Sequence, residues 1–300
     1  MNRHLIFYFL IGVIFFASCT GGTTRKIDQS FLAENQTWKQ QRLSELRQPD
    51  GWPTLIGLYW LEEGKNTIGS GKQNDIRFPK PLPDRIGEIE LIENEVRYTN
   101  VPNISILHDG KKVEKGILRT DLQENTTYLY WNAFQWHVIH RGEKFGIRLK
   151  DTLHPARMTL KEIPAYPAQS SWNKLAKFSK ADENAIVSID NQVNMTIPYK
   201  IEGYLTFKHK GAKRKLIALD GGPNVLFVLI SDETTGLETY GGGRYLYVPR
   251  PDENGITFID FNRAVNPPCV FTDFATCLLP PKENALPFRV LAGEKMYGKH

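Results

Sequence analysis

The side chains best suited to chemistry crowd into one stretch of this 300-residue chain, Tyr240 to Asn284. Gly241, Gly242 and Gly243 lead into Arg244; Asp260, Asn262 and Arg263 fall within four positions; Asn266-Pro267-Pro268-Cys269 follows. Cys277 comes next, and Pro280-Pro281-Lys282-Glu283-Asn284 closes the stretch. A guanidinium beside a glycine turn whose N–H groups face one point favours a carboxylate or phosphate. The alternative is a bulge or sharp turn with a surface arginine. If Phe261 points into the core, Asp260 and Asn262 share the opposite face of their strand. There Asp260 either pairs with Arg244 or Arg263 or orients one of them toward a ligand. The pattern predicts a site for a small polar or anionic molecule, formed by Tyr240, Arg244, Asp260, Asn262, Arg263, Asn266, Cys269 and Asn284.

Cys269 has three readings: a disulfide with Cys277, a buried free thiol, or a nucleophile. A disulfide closing so short a loop stabilises by about 2–3 kcal/mol in the chain-entropy model. A nucleophile needs a base to form thiolate, and His137, His140, His154 and His209 are all remote in sequence. Tyr240 and Glu283 are the nearer groups able to assist proton transfer. No metal is expected, because no histidine or third cysteine accompanies the pair at a ligand spacing, and no cofactor motif occurs.

These residues need a scaffold, and the pattern of the chain says which. A helix is expected over residues 28–48, with Phe31, Trp38 and Leu46 at helical spacing, Ser30 as its cap and Pro49-Asp50-Gly51 as its stop. From Thr54 onward the chain reads as strands separated by Gly, Asn, Asp and Pro. The first series runs to Phe145–Leu149, with a hairpin turn at Arg141-Gly142-Glu143-Lys144. The second runs from Lys174–Phe178 through Arg244–Val248 and Thr257–Phe261 to Phe288–Leu291. Ile163-Pro164-Ala165-Tyr166-Pro167 marks a boundary, giving units 50–162 and 163–300. Arg148 and Asp151 end the last hairpin of the first series and are placed at the interface between the units, where pockets preferentially form.

The N-terminus carries an address. Arg3 and His4 precede an apolar run, Leu5 to Phe16, that is short for a permanent span. It ends in Phe16-Ala17-Ser18-Cys19, which resembles a bacterial lipobox. That resemblance implies a signal peptide over 1–18, lipidation of Cys19, a tether over 19–27 and membrane attachment through the lipid. Thr20, where Asp would favour the inner membrane, implies the outer membrane, facing the periplasm. Such a compartment permits a Cys269–Cys277 disulfide. The formal charge of +5 is spread along the chain without a basic helix or aromatic platform, so nucleic acid is not an expected partner.

Two resemblances follow. Leu61-Glu62-Glu63-Gly64, Ile68-Gly69-Ser70, Asn74-Asp75-Ile76, Pro79 and Leu107-His108-Asp109-Gly110-Lys111-Lys112-Val113 resemble a forkhead-associated domain, a β-sandwich that binds phosphothreonine peptides. Ser70 stands where that family has a phosphate-binding arginine, and its Ser-x-x-His loop has no counterpart between Pro79 and Ile89. The resemblance therefore reaches the sandwich and stops short of the phosphopeptide site.

Asp50-Gly51-Trp52-Pro53-Thr54 through Leu61, Glu238-Thr239-Tyr240 through Tyr245, Asp260 through Ala264, Asn266 through Cys269, and Cys277 through Asn284 resemble domain-of-unknown-function family 1684. The likeness runs from about Phe31 to Lys295 and implies architecture without an activity. The expectation is a mainly β envelope lipoprotein: one N-terminal helix, a forkhead-associated-like sandwich and a second β-sandwich or barrel, binding a small anionic ligand at the C-terminal motif. The rivals are a hydrolase using Cys269 or a carboxylate such as Asp260 or Glu283, and a structural or protein-interaction module in which the motif only stabilises its own fold.

Overall fold

Burial alternates residue by residue along several strands after Thr54, Gly87–Ile92, Ile186–Asp190 and Gly203–His209 among them, the period that puts one face of a sheet on a core and the other in solvent. The computed structural model describes residues 22–298, with side chains from residue 29. The expected signal peptide and Cys19 lie outside the described residues.

The helix α1 is Gly22–Leu46. It begins upstream of the expected start and takes in much of the expected tether. Ser30 therefore lies inside it, facing Glu34 at 3.4 Å, and does not cap it. Its packing stripe is Phe31, Asn35, Trp38, Arg42 and Leu46, the spacing of one helical face. Past its end the chain folds back so closely that a Cβ at Gly51 would lie 2.1 Å from the Leu46 carbonyl oxygen.

Eleven strands follow: β1 (Leu55–Trp60), β2 (Gly64–Gly69), β3 (Ile76–Arg77), β4 (Gly87–Ile92), β5 (Glu95–Asn100), β6 (Leu107–His108), β7 (Lys111–Lys112), β8 (Lys115–Ile117), β9 (Leu129–Trp131), β10 (Phe134–Arg141) and β11 (Lys144–Asp151). They form two sheets, ordered β1-β11-β10-β9-β6-β7 and β3-β2-β4-β5-β8. Ile68, Ile89, Trp136 and Ile147, all fully buried, belong to one apolar cluster drawn from both sheets. The expected hairpin turn is present: Arg141 pairs with Lys144.

Nine more strands follow among the described residues: β12 (Asn173–Lys180), β13 (Ile186–Asp190), β14 (Thr196–Lys200), β15 (Gly203–His209), β16 (Ala212–Asp220), β17 (Val225–Asp232), β18 (Arg244–Pro249), β19 (Ile256–Asp260) and β20 (Ala285–Leu286). The sheet order β18-β17-β16-β15-β12-β19 brings β19 back against β18, so this sheet almost closes into a barrel. Its interior holds Leu205, Leu216, Val228, Ile230, Ile259 and Phe261. The hairpin β13-β14 stands apart, and β20 pairs parallel with β17.

The expected strand Phe288–Leu291 is not one. That segment is irregular because its polar groups serve side chains rather than a ladder: the Val290 carbonyl accepts from Arg244, and its N–H donates to Asp232.

Asn284 staples the barrel to this irregular tail. Its carboxamide oxygen accepts from the Ile217 N–H at 2.7 Å, and its nitrogen donates to the Ile217 and Leu229 carbonyls at 2.9 and 2.8 Å. Each donor or acceptor left buried without a partner costs about 1–3 kcal/mol. Asn284→Ala is expected to lower stability by roughly 3 kcal/mol or more, read as a fall in the urea midpoint at unchanged slope. A variant within a few tenths of wild type would show that the staple is dispensable.

Candidate functional site

The two arginines that the motif suggested do not converge. Arg244 opens β18 with its side chain pointing inward and is fully buried. Its NH2 lies 2.7 Å from Asp232 Oδ2 and 3.1 Å from the Val290 carbonyl, and NH1 donates to the Ala292 carbonyl. Asp232 is itself held by the Thr234 N–H and hydroxyl, at 2.8 and 2.7 Å. Arg263, by contrast, is half-exposed at the surface, 3.4 Å from Asp260 and over the Trp38 ring.

The glycines form no anion nest. Among them only Gly243 has positive φ, and its N–H already donates to the Tyr240 carbonyl. A Cβ at Gly243 would lie 2.4 Å from Pro280, so this glycine is required by a close approach.

The remaining predicted site residues are also occupied internally. Asp260 accepts from the N–H and the amide of Asn262 at 3.0 and 2.8 Å, closing the turn after β19. Asn262 in turn exchanges two hydrogen bonds with the Gln169 backbone, both at 2.9 Å. Asn266 donates through its backbone to Glu294 at 2.6 Å and through its amide to the Lys295 carbonyl at 2.8 Å. Glu294, which sequence reasoning missed, is buried between Asn266 and Arg42 of α1, with Arg42 Nε at 3.2 Å. Burial raises its carboxyl above the usual range, against the pull of Arg42. Only its spacing from Arg42, 252 positions away, hid it.

The structure brings a different set of residues together. A cleft of about 500 Å³ lies between β10-β11 and the outer face of β17-β18. Arg141, Arg148 and Trp52 line one wall; Tyr199, Phe227, Tyr245 and Tyr247 line the other; Thr276 and Cys277 run along it. Trp52 comes from the Asp50–Leu61 motif and Thr276-Cys277 from the C-terminal motif, so the two stretches meet here. Thr272 ties them further, donating to the Leu55 carbonyl at 2.7 Å.

Arg148 is the unusual group. It is 7% exposed, yet among the described residues no carboxylate lies within ion-pair distance of it. Among the described residues it makes one hydrogen bond, from Nη2 to the Thr276 hydroxyl at 3.0 Å, and Nε has no partner. The Trp52 ring covers it at 5.3 Å. Burial, with Arg141 close by, pushes its pKa down to about 10. Arg141 is by contrast neutralised, holding both oxygens of Asp121 at 3.1 and 2.6 Å while Nε reaches Thr276 at 3.3 Å. The expectation that Arg148 sits at the interface of the two strand series matches its bond to Thr276.

Among the described residues no histidine hydrogen-bonds either thiol, although His140 lines the same cleft as Cys277. His140 stacks on Phe145 at 4.1 Å, and His209 on Phe288 at 4.0 Å. His154 accepts from the Ala156 N–H at 3.3 Å. His137 lies opposite Arg148 on β10, buried, with Nδ1 unpartnered. Cys269 and Cys277 are both buried free thiols in mutual hydrogen-bond contact, and the Cys269 N–H points at the Cys277 sulfur from 3.0 Å. Ser70, where a forkhead-associated domain carries its phosphate-binding arginine, is buried and donates to the Leu82 carbonyl at 2.6 Å.

Fold and site together define a mainly β protein with a largely aromatic cleft around an uncompensated guanidinium. Residues 158–295 match the model of a family described as a protein of unknown function, DUF1684; the Asp50–Leu61 motif lies outside that match. No curated protein matches the chain. Among solved structures it is similar to an uncharacterized protein of Haloarcula marismortui determined by solution NMR. The identity is 28%, over 46% of this chain and 78% of that one, with a TM-score of 0.39. It is also similar, at 15% identity over 31% of this chain and 97% of that one, to the FhaA FHA domain complexed with the intracellular domain of Rv3910, with a TM-score of 0.22.

Two outcomes test this electrostatic picture. Asp232→Asn leaves the Arg244 guanidinium buried without a counter-charge, and about 3–5 kcal/mol of stability should be lost, measured by urea unfolding. Equal stability would mean that the carbonyls suffice. For His137, burial first, then Arg148 and Lys150, push the pKa from 6.5 down to about 4, with Asp121 opposing. The unfolded chain takes up this proton near pH 6.5 and the folded chain only near pH 4. The stability is thus present above pH 6.5 and lost on acidification, on the order of 3 kcal/mol at about 1.4 kcal/mol per tenfold in proton affinity. His137→Gln should flatten the unfolding free energy between pH 6.5 and 4; an unchanged pH profile would locate the titration elsewhere.

Proposed function

We propose that this protein binds a small anionic ligand carrying a flat apolar body, in the cleft beneath Trp52 rather than at Arg244. The observation that carries the reading is Arg148. Taking a guanidinium out of water without a counter-charge costs several kcal/mol, and Arg244 shows how this fold neutralises such a group when the role is structural. An anion entering the cleft supplies what Arg148 lacks. Thr276 offers a hydroxyl beside it, and the rings of Tyr199, Phe227, Tyr245 and Tyr247 suit an aromatic or acyl body.

The predicted lipobox supports an envelope lipoprotein anchored through Cys19 at the outer membrane. We read residues 50–162 as a forkhead-associated-like sandwich whose phosphopeptide site is lost, since the Ser70 hydroxyl is already engaged. Residues 163–300 form the unit that carries the second wall of the cleft. Cys19→Ser should move the protein from the membrane fraction to the soluble fraction of the envelope; retention in the membrane would contradict the anchor.

Phenylphosphonate, a dianion with one ring, is the probe. Calorimetry on wild type should give a measurable Kd, weakened at least tenfold by Arg148→Met, since a hydrogen bond to a charged group contributes about 1.5–3 kcal/mol. The free Arg148→Met protein should be as stable as wild type or more so, because a buried lone charge has been removed. Arg263→Ala should bind as wild type does. Loss of binding in Arg263→Ala with Arg148→Met unaffected would return the site to the surface cluster at Asp260.

A further inference from the structure

Two thiols lie behind the wall of this cleft, and the anion reading does not use them. We infer that Cys269 and Cys277 are a redox-active dithiol, and that their oxidation to a disulfide weakens the anion site through Thr276. The coupling half rests on the anion-binding reading; the dithiol half does not.

The geometry supports both halves. The sulfurs are in hydrogen-bond contact across a seven-residue loop, 270–276, and of the two only Cys277 lines the cleft, so a small disulfide oxidant entering it meets Cys277 with Cys269 behind. Cys269 is the sulfur that ionises first: the Cys277 thiol and the Tyr240 hydroxyl hydrogen-bond to it, which lowers its pKa, whereas burial raises that of Cys277. With a disulfide RSSR as oxidant, Cys277 at the wall passes its proton to the Cys269 thiolate that it hydrogen-bonds, attacks one sulfur and expels RS⁻. Cys269 then loses its proton and attacks the Cys277 sulfur of the mixed disulfide, expelling the second RS⁻. The protein gives up two electrons and two protons, and the oxidant leaves as two RSH.

The consequence for the cleft follows from the adjacent residue. Thr276 precedes Cys277 and accepts hydrogen bonds from both Arg148 and Arg141. An S–S bond of about 2 Å draws the sulfurs closer than their present contact. Cys277 moves toward Cys269, away from the cleft, and Thr276 moves with it. The hydroxyl that holds Arg148 in place is then withdrawn.

The experiment titrates purified protein with oxidised glutathione, maps chymotryptic peptides by mass, and measures the phenylphosphonate Kd on reduced and oxidised samples. The expected result is a peptide pair joined through Cys269 and Cys277, with two hydrogens lost, and a Kd at least fivefold weaker after oxidation that dithiothreitol restores. Cys269→Ala and Cys277→Ala should each abolish the joined pair and hold the Kd at one value under both conditions. Thiols that stay reduced, or that stop at glutathione adducts, overturn the dithiol. A joined pair with an unchanged Kd overturns the coupling. If reduced wild type fails to bind the probe at all, the anion reading and the coupling fall together, while the peptide map still decides the dithiol.

Discussion

A guanidinium withdrawn from water must be answered by fixed negative charge or by carbonyl oxygens, and much of the C-terminal half is arranged around one such answer. Arg244 enters the barrel at the start of β18 and meets Asp232 at the end of β17. Two elements that already pair as neighbouring strands are thereby locked at one end. Val290, Ala292 and Glu294 each turn a carbonyl toward the same side chain. An irregular tail with little ladder of its own is thus pulled across the barrel mouth. From that tail Glu294 reaches Asn266 and Arg42, so the position of α1 depends, two contacts removed, on the ion pair inside the barrel.

The strand pattern was largely legible because a half-buried strand writes its period into the sequence. Gly87–Ile92 and Ile186–Asp190 are examples. Short strands such as Ile76–Arg77 were not legible, since two residues carry no period and β3 pairs in parallel with β2 through a loop. Phe288–Leu291 misled for the opposite reason: it is apolar enough for a strand, but its backbone is committed to Arg244 and Asp232.

The site was legible only in part. Residue type pointed to arginine, amide and carboxylate chemistry in the C-terminal motif, and that chemistry is present. Its direction was not readable, because a sequence does not say whether a partner for Arg244 waits inside. Asp232 lies twelve positions upstream, at the end of a strand that is apolar from Val225 to Ile230. Arg148 shows the complement: it sits in an ordinary strand pattern, and nothing nearby in sequence announces that no acid will face it. The placing of Arg148 at an interface was the one signal that led toward the cleft.

The contrast between the two buried arginines carries the functional argument further than either alone. Both are more than nine-tenths buried; the strand of Arg148 pairs on each side and that of Arg244 on one. Around Arg244 the fold assembles an aspartate and three carbonyls. Around Arg148 it places a hydroxyl, an aromatic ring and, across the strand pair, a histidine whose environment keeps it neutral down to about pH 4. A second cation, Lys150, shares the Trp52 ring at 5.9 Å, and burial lowers its pKa too. The one acid nearby, Asp121, is already held through both oxygens by Arg141, and the other neighbours are neutral or positive, so the fold only partly answers the charge of Arg148. A purely structural wall would be more stable with leucine or methionine at that position. Retaining a guanidinium there makes physical sense when an anion from outside the chain completes the arrangement.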